Sequence, residues 1–249
     1  MSRRRLLRLA ALSSVLALGG CLFHVGATSR EGADVLESAP KPPPVDSEFD
    51  GCGPAGSQPD YALNRRKNRI DEGTYIPVPW TVVARLPWPV WAGYRFRNQW
   101  SKGETREVAR YEGAAVSVEG YLAGYKLEIP EPPNCYARSA RDRDFHLWLA
   151  RTPGGRKDAS VVVEITPRVR VRHPRWNDST LNLLRHSRVR LRVQGWLMLD
   201  QMHPELVLRN RRTLWEIHPI MHIDWQAPDS AWVSLDSAGP PAPAQGKRT

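Results

Sequence analysis

The chain has 249 residues, 36 of them lysine or arginine and 26 aspartate or glutamate, for a formal charge of +10. Past the N-terminal stretch no apolar run reaches the roughly eighteen residues a membrane-spanning helix needs, which excludes a bundle of such helices.

The opening residues, MSRRRLLRLAALSSVLALGGC, combine a cationic start, an apolar stretch and small residues before a break. That order predicts a signal peptide over residues 1–20 rather than a buried helix. Leu18-Gly19-Gly20-Cys21 resembles a bacterial lipobox, which implies lipid on Cys21. Ser2-Arg3-Arg4-Arg5-Leu6-Leu7-Arg8 resembles a twin-arginine signal, and an ordinary Sec signal with a rich basic region fits the same residues. By resemblance to lipoprotein sorting rules, Leu22 in place of Asp favours the outer membrane, facing the periplasm, in a cell that has one. Loss of Arg3, Arg4, Arg5 and Arg8 leaves 36 − 4 = 32 basic against 26 acidic residues, a mature charge of +6. That weakens the case for a nucleic-acid partner made by the isoelectric point near 9.9. With Cys21 lipidated, Cys52 and Cys135 remain. Outside the cytoplasm they read as one disulfide, with two free thiols as the alternative. Their spacing gives no support to a metal site.

Residues 21–60 are rich in Pro, Gly, Ser and acids and predict a disordered, lipid-anchored tether. Residues 61–112 begin with the basic YALNRRKNRIDEG. They continue through TYIPVPWTVVARLPWPVWAG, whose prolines argue against a central strand. They predict an extended, aromatic-rich wrap around the core.

From 113 to 226 the pattern is regular. GAAVSVEGYLAGYKLEI alternates over one long strand that Gly120 and Gly124 allow to bend or bulge. DRDFHLWLAR and ASVVVEIT flank a Pro/Gly turn as a hairpin. NDSTLNLLRHS predicts a short helix capped by Asp178 or Ser179. RVRLRVQGWLMLD and TLWEIHPIMHIDW are the fourth and fifth strands. The order β-β-β-α-β-β predicts a mainly β fold: a single OB-fold-like, five-stranded Greek-key barrel with one short helix. Residues 227–249, rich in Pro and Ala, predict a disordered tail.

Alternation assigns faces. Phe145, Leu147 and Leu149 point inward, as do Val161, Val163 and Ile165, and Trp215, Ile217, Met221, Ile223 and Trp225. Asp144, His146, Trp148, Val162, Glu164, Glu216, His218, His222 and Asp224 point outward. In an OB strand order of 1-2-3-5-4, Asp144, His146, Glu164, Glu216 and His218 converge on one outer patch. Imidazoles beside carboxylates suit a divalent metal or acid–base work on a phosphate or acyl group. The same residues suit a hydrogen-bonded polar network with no ligand.

A second set is basic: Arg168, Arg170 and Arg172 after the third strand, and Arg188, Arg190 and Arg192 on the fourth. Rows of like charge on adjacent strands need acids, solvent or an anionic ligand to offset them. With Trp148, Trp176 and Trp196 as stacking surfaces, Arg168, Arg170, Arg188, Arg190 and Arg192 are candidate anion-binding residues.

LNRRKNR, YEGAAVSVEGYL, RDFHLWL, SVVVEITPRVRVRHPRW, VRLRVQGWLMLDQMHPELV and RRTLWEIHPIMHIDW resemble a family of bacterial lipoproteins of unassigned function. Its members share D-F-H-x-W-L, V-V-E-x-T-P and W-E-I-H-P-I strands. The resemblance covers most of residues 61–225. It implies a shared OB-like domain with Asp144, His146, Glu164, Glu216 and His218 at motif positions, and it carries no activity. By fold analogy a staphylococcal-nuclease-like enzyme is imaginable, but the two arginines around an acidic calcium site have no match here.

The leading expectation is a membrane-anchored, non-enzymatic binding module for an anionic ligand such as nucleic acid, lipid phosphate or cell-wall polymer. The rival is a metal-dependent hydrolase of phosphodiester or related bonds. His146, Glu164 and His218 would be its metal ligands, and Glu216 or Asp144 its base. The third is an envelope scaffold.

Overall fold

The computed structural model describes residues 32–240. The expected signal peptide and the expected lipidation site Cys21, with residues 22–31 and the last nine residues, lie outside the described range. The N-terminal part forms a helix α1 (32–38), helix α2 (Tyr61–Lys67), a two-residue strand β1 (Ile76–Pro77), and helices α3 (Trp80–Val83) and α4 (Lys102–Ala109). There follow β2 (Ala115–Leu127), β3 (Phe145–Ala150), β4 (Val161–Ile165), α5 (Pro167–Arg170), α6 (Asp178–Ser187), β5 (Arg190–Leu199), β6 (Trp215–Gln226) and β7 (Trp232–Ser234).

Five of these strands close a barrel. β2 pairs antiparallel with both β3 and β5, β3 with β4 and β5 with β6, while β4 runs parallel to β6. The ring β2-β3-β4-β6-β5, with α6 joining β4 to β5 in the chain, is the order of an OB-like barrel. The first strand serves two partners because it curls. Its first half faces β5, its second half faces β3, and the register slips between Leu122 and Gly124. Glycine is required at 120, where a Cβ would stand 2.6 Å from the Ala150 carbonyl oxygen.

Val116, Val118, Leu147, Leu149, Val161, Val163, Leu191, Val193, Ile217 and Ile223 fill the interior, with Leu181 and Leu184 of α6 packed against them. Asn177, one residue before the expected cap, accepts from the Thr180 amide and starts α6. A second helix, α5, follows β4 directly: Thr166 caps it and Pro167 occupies its first turn.

The segments flanking the barrel differ most from expectation. Residues 32–60 are not a free tether. Leu36 is wholly buried in the common core, Glu37 pairs with Arg110, and Cys52 is joined to Cys135. Proline denies this stretch a long helix or a central strand, but it does not stop the chain from lying against a surface that supplies the apolar contacts. Residues 61–112 do wrap the barrel, yet as helices and single turns more than as extended chain. Ser101 and Glu104 form a reciprocal cap that starts α4, and Trp80 and Trp215 tie wrap to barrel through Trp80 Nε1 to the Leu149 carbonyl and Trp215 Nε1 to that of Pro87. The expected tail is ordered as far as it is described: β7 pairs with β6, and Leu235 is buried. No helix among the described residues is long and apolar enough to cross a membrane.

Candidate functional site

The five outward-facing polar residues do converge, and they converge under cover. Asp144 precedes β3, His146 is on it, Glu164 is on β4, and Glu216 and His218 are on β6; all five are buried. The register explains the meeting: His146 stands opposite Glu164, and Val162 opposite Glu216. The expectation of an exposed patch fails because α2 and the 131–134 turn lie over this part of the barrel. Lys67 of α2 reaches Glu216 at 3.8 Å, and Asn134 Nδ2 donates to Asp144 Oδ1 at 2.8 Å.

Within the cluster each group has one committed side. His146 Nδ1 lies 2.9 Å from Glu128 Oε1 and 2.8 Å from Glu164 Oε1. His218 Nδ1 lies 3.3 Å from Glu216 Oε1 and 3.2 Å from Glu164 Oε2. Arg211 bridges Asp200 at 2.7 Å and Glu216 at 2.9 Å. Four buried atoms have no hydrogen-bond partner: Asp144 Oδ2, His146 Nε2, Glu164 Oε2 and His218 Nε2. His218 Nε2 and Asp144 Oδ2 face each other at 3.6 Å, too far for a hydrogen bond.

The charges are strongly coupled. Burial works against a charged His218, but the carboxylates of Glu164 and Glu216 prevail and push its pKa up to about 10. Burial pushes Asp144 up to about 6, against the pull of His218. Burial also pushes Glu131 up to about 8, against Lys67 and with the help of Glu164 and Asp144. Burial would raise Glu164 too, yet the two imidazoles hold it well below the usual carboxylate range. A cavity of about 160 Å³ opens beside this cluster, lined by His146, Glu164, Glu128, Lys67, Asp200 and Arg211 among others.

The same parity continues along β6 into different surroundings. His222 and Asp224 pair with β5, on the side away from β4: His222 Nε2 meets Glu72 at 2.8 Å, and Arg192 meets Asp224 at 2.6 Å. Here a groove of about 830 Å³ runs between β2, β5 and the 75–81 segment. Its walls carry Tyr75, Trp80, Tyr121, Arg151, Arg190 and Arg192, with Glu119 as its acid. Arg190 is paired with Glu119 and Arg192 with Asp224, whereas Arg151 is exposed and makes no ion pair among the described residues.

No family model, no characterised protein and no solved structure matches this chain. The site stands on its geometry alone.

The remaining candidates separate. Arg190 and Arg192 line the groove. Arg168 does not: it is 3% exposed and donates to the carbonyls of Ser47, Cys52 and Gly53, clamping the N-terminal cover. Arg170 donates to the carbonyls of Ala140 and Arg141. Both lie on α5, where alternate residues do not share a face, so the expected basic row after β4 does not exist. Arg188 is exposed at the left-handed C-cap of α6, off the strand. The three tryptophans proposed for stacking are inside. Trp148 donates to the Asn210 carbonyl, Trp196 donates to that of Asp71 beneath the Arg69 guanidinium, and Trp176 stacks on His173. Each is at most 2% exposed, so none offers a ring to a ligand.

Lys67, Glu128, Asn134, Asp200 and Arg211 belong to the buried cluster and were not expected there. Glu128 follows β2 directly, and its amide meets the Asp144 carbonyl. The connection from 128 to 144 is too long for turn chemistry to fix that register in advance.

Proposed function

We propose that the protein is a lipoprotein of the cell envelope, anchored through Cys21 and facing the periplasm, whose barrel binds an anionic ligand without transforming it. The observation that carries this reading is the groove. Its volume falls in the range of ligand sites, about 300–1,000 Å³, and of its three arginines Arg190 and Arg192 are paired with Glu119 and Asp224, which leaves Arg151 as the exposed cation without an ion pair among the described residues. Tyr75, Trp80 and Tyr121 offer ring faces for sugar or base units. The disulfide between Cys52 and Cys135 supports an oxidising compartment.

Hydrolysis draws less support. The cavity beside His146 is about 160 Å³, well under the size of a pocket that holds a polymer unit. An anionic lipid headgroup or cell-wall polymer meets the groove's requirements as well as a nucleic acid does.

The test is a fluorescence titration of the purified chain with a labelled thymidylate 15-mer, dextran sulfate and vesicles containing phosphatidylglycerol. Affinity for at least one probe should fall several-fold between 50 and 200 mM salt, roughly as expected when a few phosphates are neutralised. Arg151→Ala should weaken binding by about three- to ten-fold without unfolding the barrel, in line with the loss of one charge-assisted contact. Salt-insensitive binding, or none to any probe, sinks the proposal. Export itself is checked by palmitate labelling, which Cys21→Ser should abolish.

A further inference from the structure

The buried cluster is not needed for ligand capture in the groove, yet its construction is specific. Of three side chains on neighbouring parts of the sheet, Asp144 and His218 each have one atom held by a partner and one left bare, and Glu164 lies between the two imidazoles. Asp144 Oδ1 accepts from Asn134, and Oδ2 is bare. Glu164 Oε1 faces the His146 ring nitrogen at 2.8 Å, and Oε2 lies 3.2 Å from His218 Nδ1 with no hydrogen bond. His218 Nδ1 is engaged by Glu216 Oε1 at 3.3 Å, and Nε2 is bare. One donor atom from each of the three lies within 4.8 Å of the others.

Chemistry explains why this arrangement is uncomfortable as it stands. His218 Nε2 and Asp144 Oδ2 face each other at 3.6 Å, both buried and neither hydrogen-bonded. Taken out of water without a partner, each leaves its desolvation cost uncompensated. Carboxylates crowd the same place: Glu128, Glu164 and Glu216 lie against the two imidazoles, and Asp144 faces His218 from the other side. A cation between Asp144, Glu164 and His218 gives the unpartnered atoms a partner.

We propose that Asp144, Glu164 and His218 bind one divalent transition-metal ion, with zinc the best match to one imidazole and two carboxylates. Glu216 and Asn134 act as positioning residues: Glu216 fixes the tautomer that presents Nε2, and Asn134 turns the free oxygen of Asp144 inward. A carboxylate behind a ligating histidine is the usual outer support of such sites. The ligands come from β4, β6 and the residue just before β3, so the ion would cross-link three adjacent strands under the cover. Its role is structural: Asp144 and His218 are buried, and neither lines the cavity of about 160 Å³ beside the cluster.

The experiment uses the full chain, extracted in detergent from the envelope of cells that make it. Metal content by plasma mass spectrometry should be near one zinc per chain. His218→Ala and Asp144→Asn should lower it at least ten-fold, while His222→Ala, on the same strand but outside the cluster, should leave it unchanged. Glu216→Gln should keep the ligands and weaken retention about 10- to 100-fold, the usual cost of losing an outer support. If the ligand variants do not fold, the wild type still decides. Stripping with dipicolinate and refilling with cobalt(II) should give visible absorption bands and restore the melting temperature. Wild-type chain that is metal-free as isolated, and whose melting temperature does not respond to zinc, manganese or cobalt, overturns the proposal. The cluster would then be a network held together by shared protons.

Discussion

Glu112 shows how this chain pays for buried charge. Both its oxygens are taken by Arg97 at 2.6 Å, Arg66 adds a contact at 3.2 Å, and the Leu199 amide donates to Oε1 at 3.0 Å. Burial pushes its pKa up, and the two guanidinium groups more than reverse that, so the folded chain holds the carboxyl below its ordinary 4.5. A lowered pKa means stability that is complete above the unfolded value and lost as pH falls through the folded one. Glu112→Gln should cost about 3–5 kcal/mol at pH 7, because Arg97 is left buried and unpaired. Guanidinium denaturation should show the gap between variant and wild type narrowing as pH drops below 4.5. A gap that does not change with pH would mean the loss is one of packing, not charge.

At the scale of elements, the barrel and its cover follow different rules. Each barrel strand carries its own evidence, an alternation whose inward members are the core residues observed, so strand order and the helix before β5 were readable. The cover was not, because its contacts are spread thinly over segments of irregular composition. One signal was present. Trp148 and Val162 sit on the outward parity with Asp144, His146 and Glu164, and large apolar residues on an outer face mean that something lies over it. The charged neighbours masked that signal, since alternation separates the two sides of a sheet and says nothing about whether the far side meets water. The arginines after β4 misled for a related reason: Thr166-Pro167 is a helix start, and a helix dissolves the two-residue period that made Arg168, Arg170 and Arg172 look like a row. For the cover the expectation is specific. Leu36→Ala in α1 should destabilise the chain by about 2–5 kcal/mol, whereas Val35→Ala, at a side 47% exposed, should fall within about 0.5 kcal/mol of wild type. Equal effects at both positions would mean that α1 does not dock through Leu36.

For the whole molecule, the disulfide is a covalent constraint on the fold: Cys52 and Cys135 are separated by 83 positions, with the whole wrap between them. Closing so long a loop restricts the unfolded chain, and its removal in the Cys52→Ser/Cys135→Ser double variant should cost about 2–5 kcal/mol. The measurement is equilibrium unfolding of wild type with and without reductant. Reduced wild type should match the double variant, and a mismatch would mean that the serines disturb the site by themselves.

That bond also changes what a cut in the backbone can do. The segment around Val90 and Tyr94, 80% and 61% exposed, is an open target for a protease, and it lies inside the loop the disulfide closes. A nick there divides the chain into an N-terminal piece and a barrel-bearing C-terminal piece, still covalently one molecule. On a gel it would run as a single band until reduced. Under the anchoring proposed at Cys21, a chain nicked there would stay covalently tied to its anchor while its surroundings are oxidising, and after reduction only by the packing of the N-terminal cover.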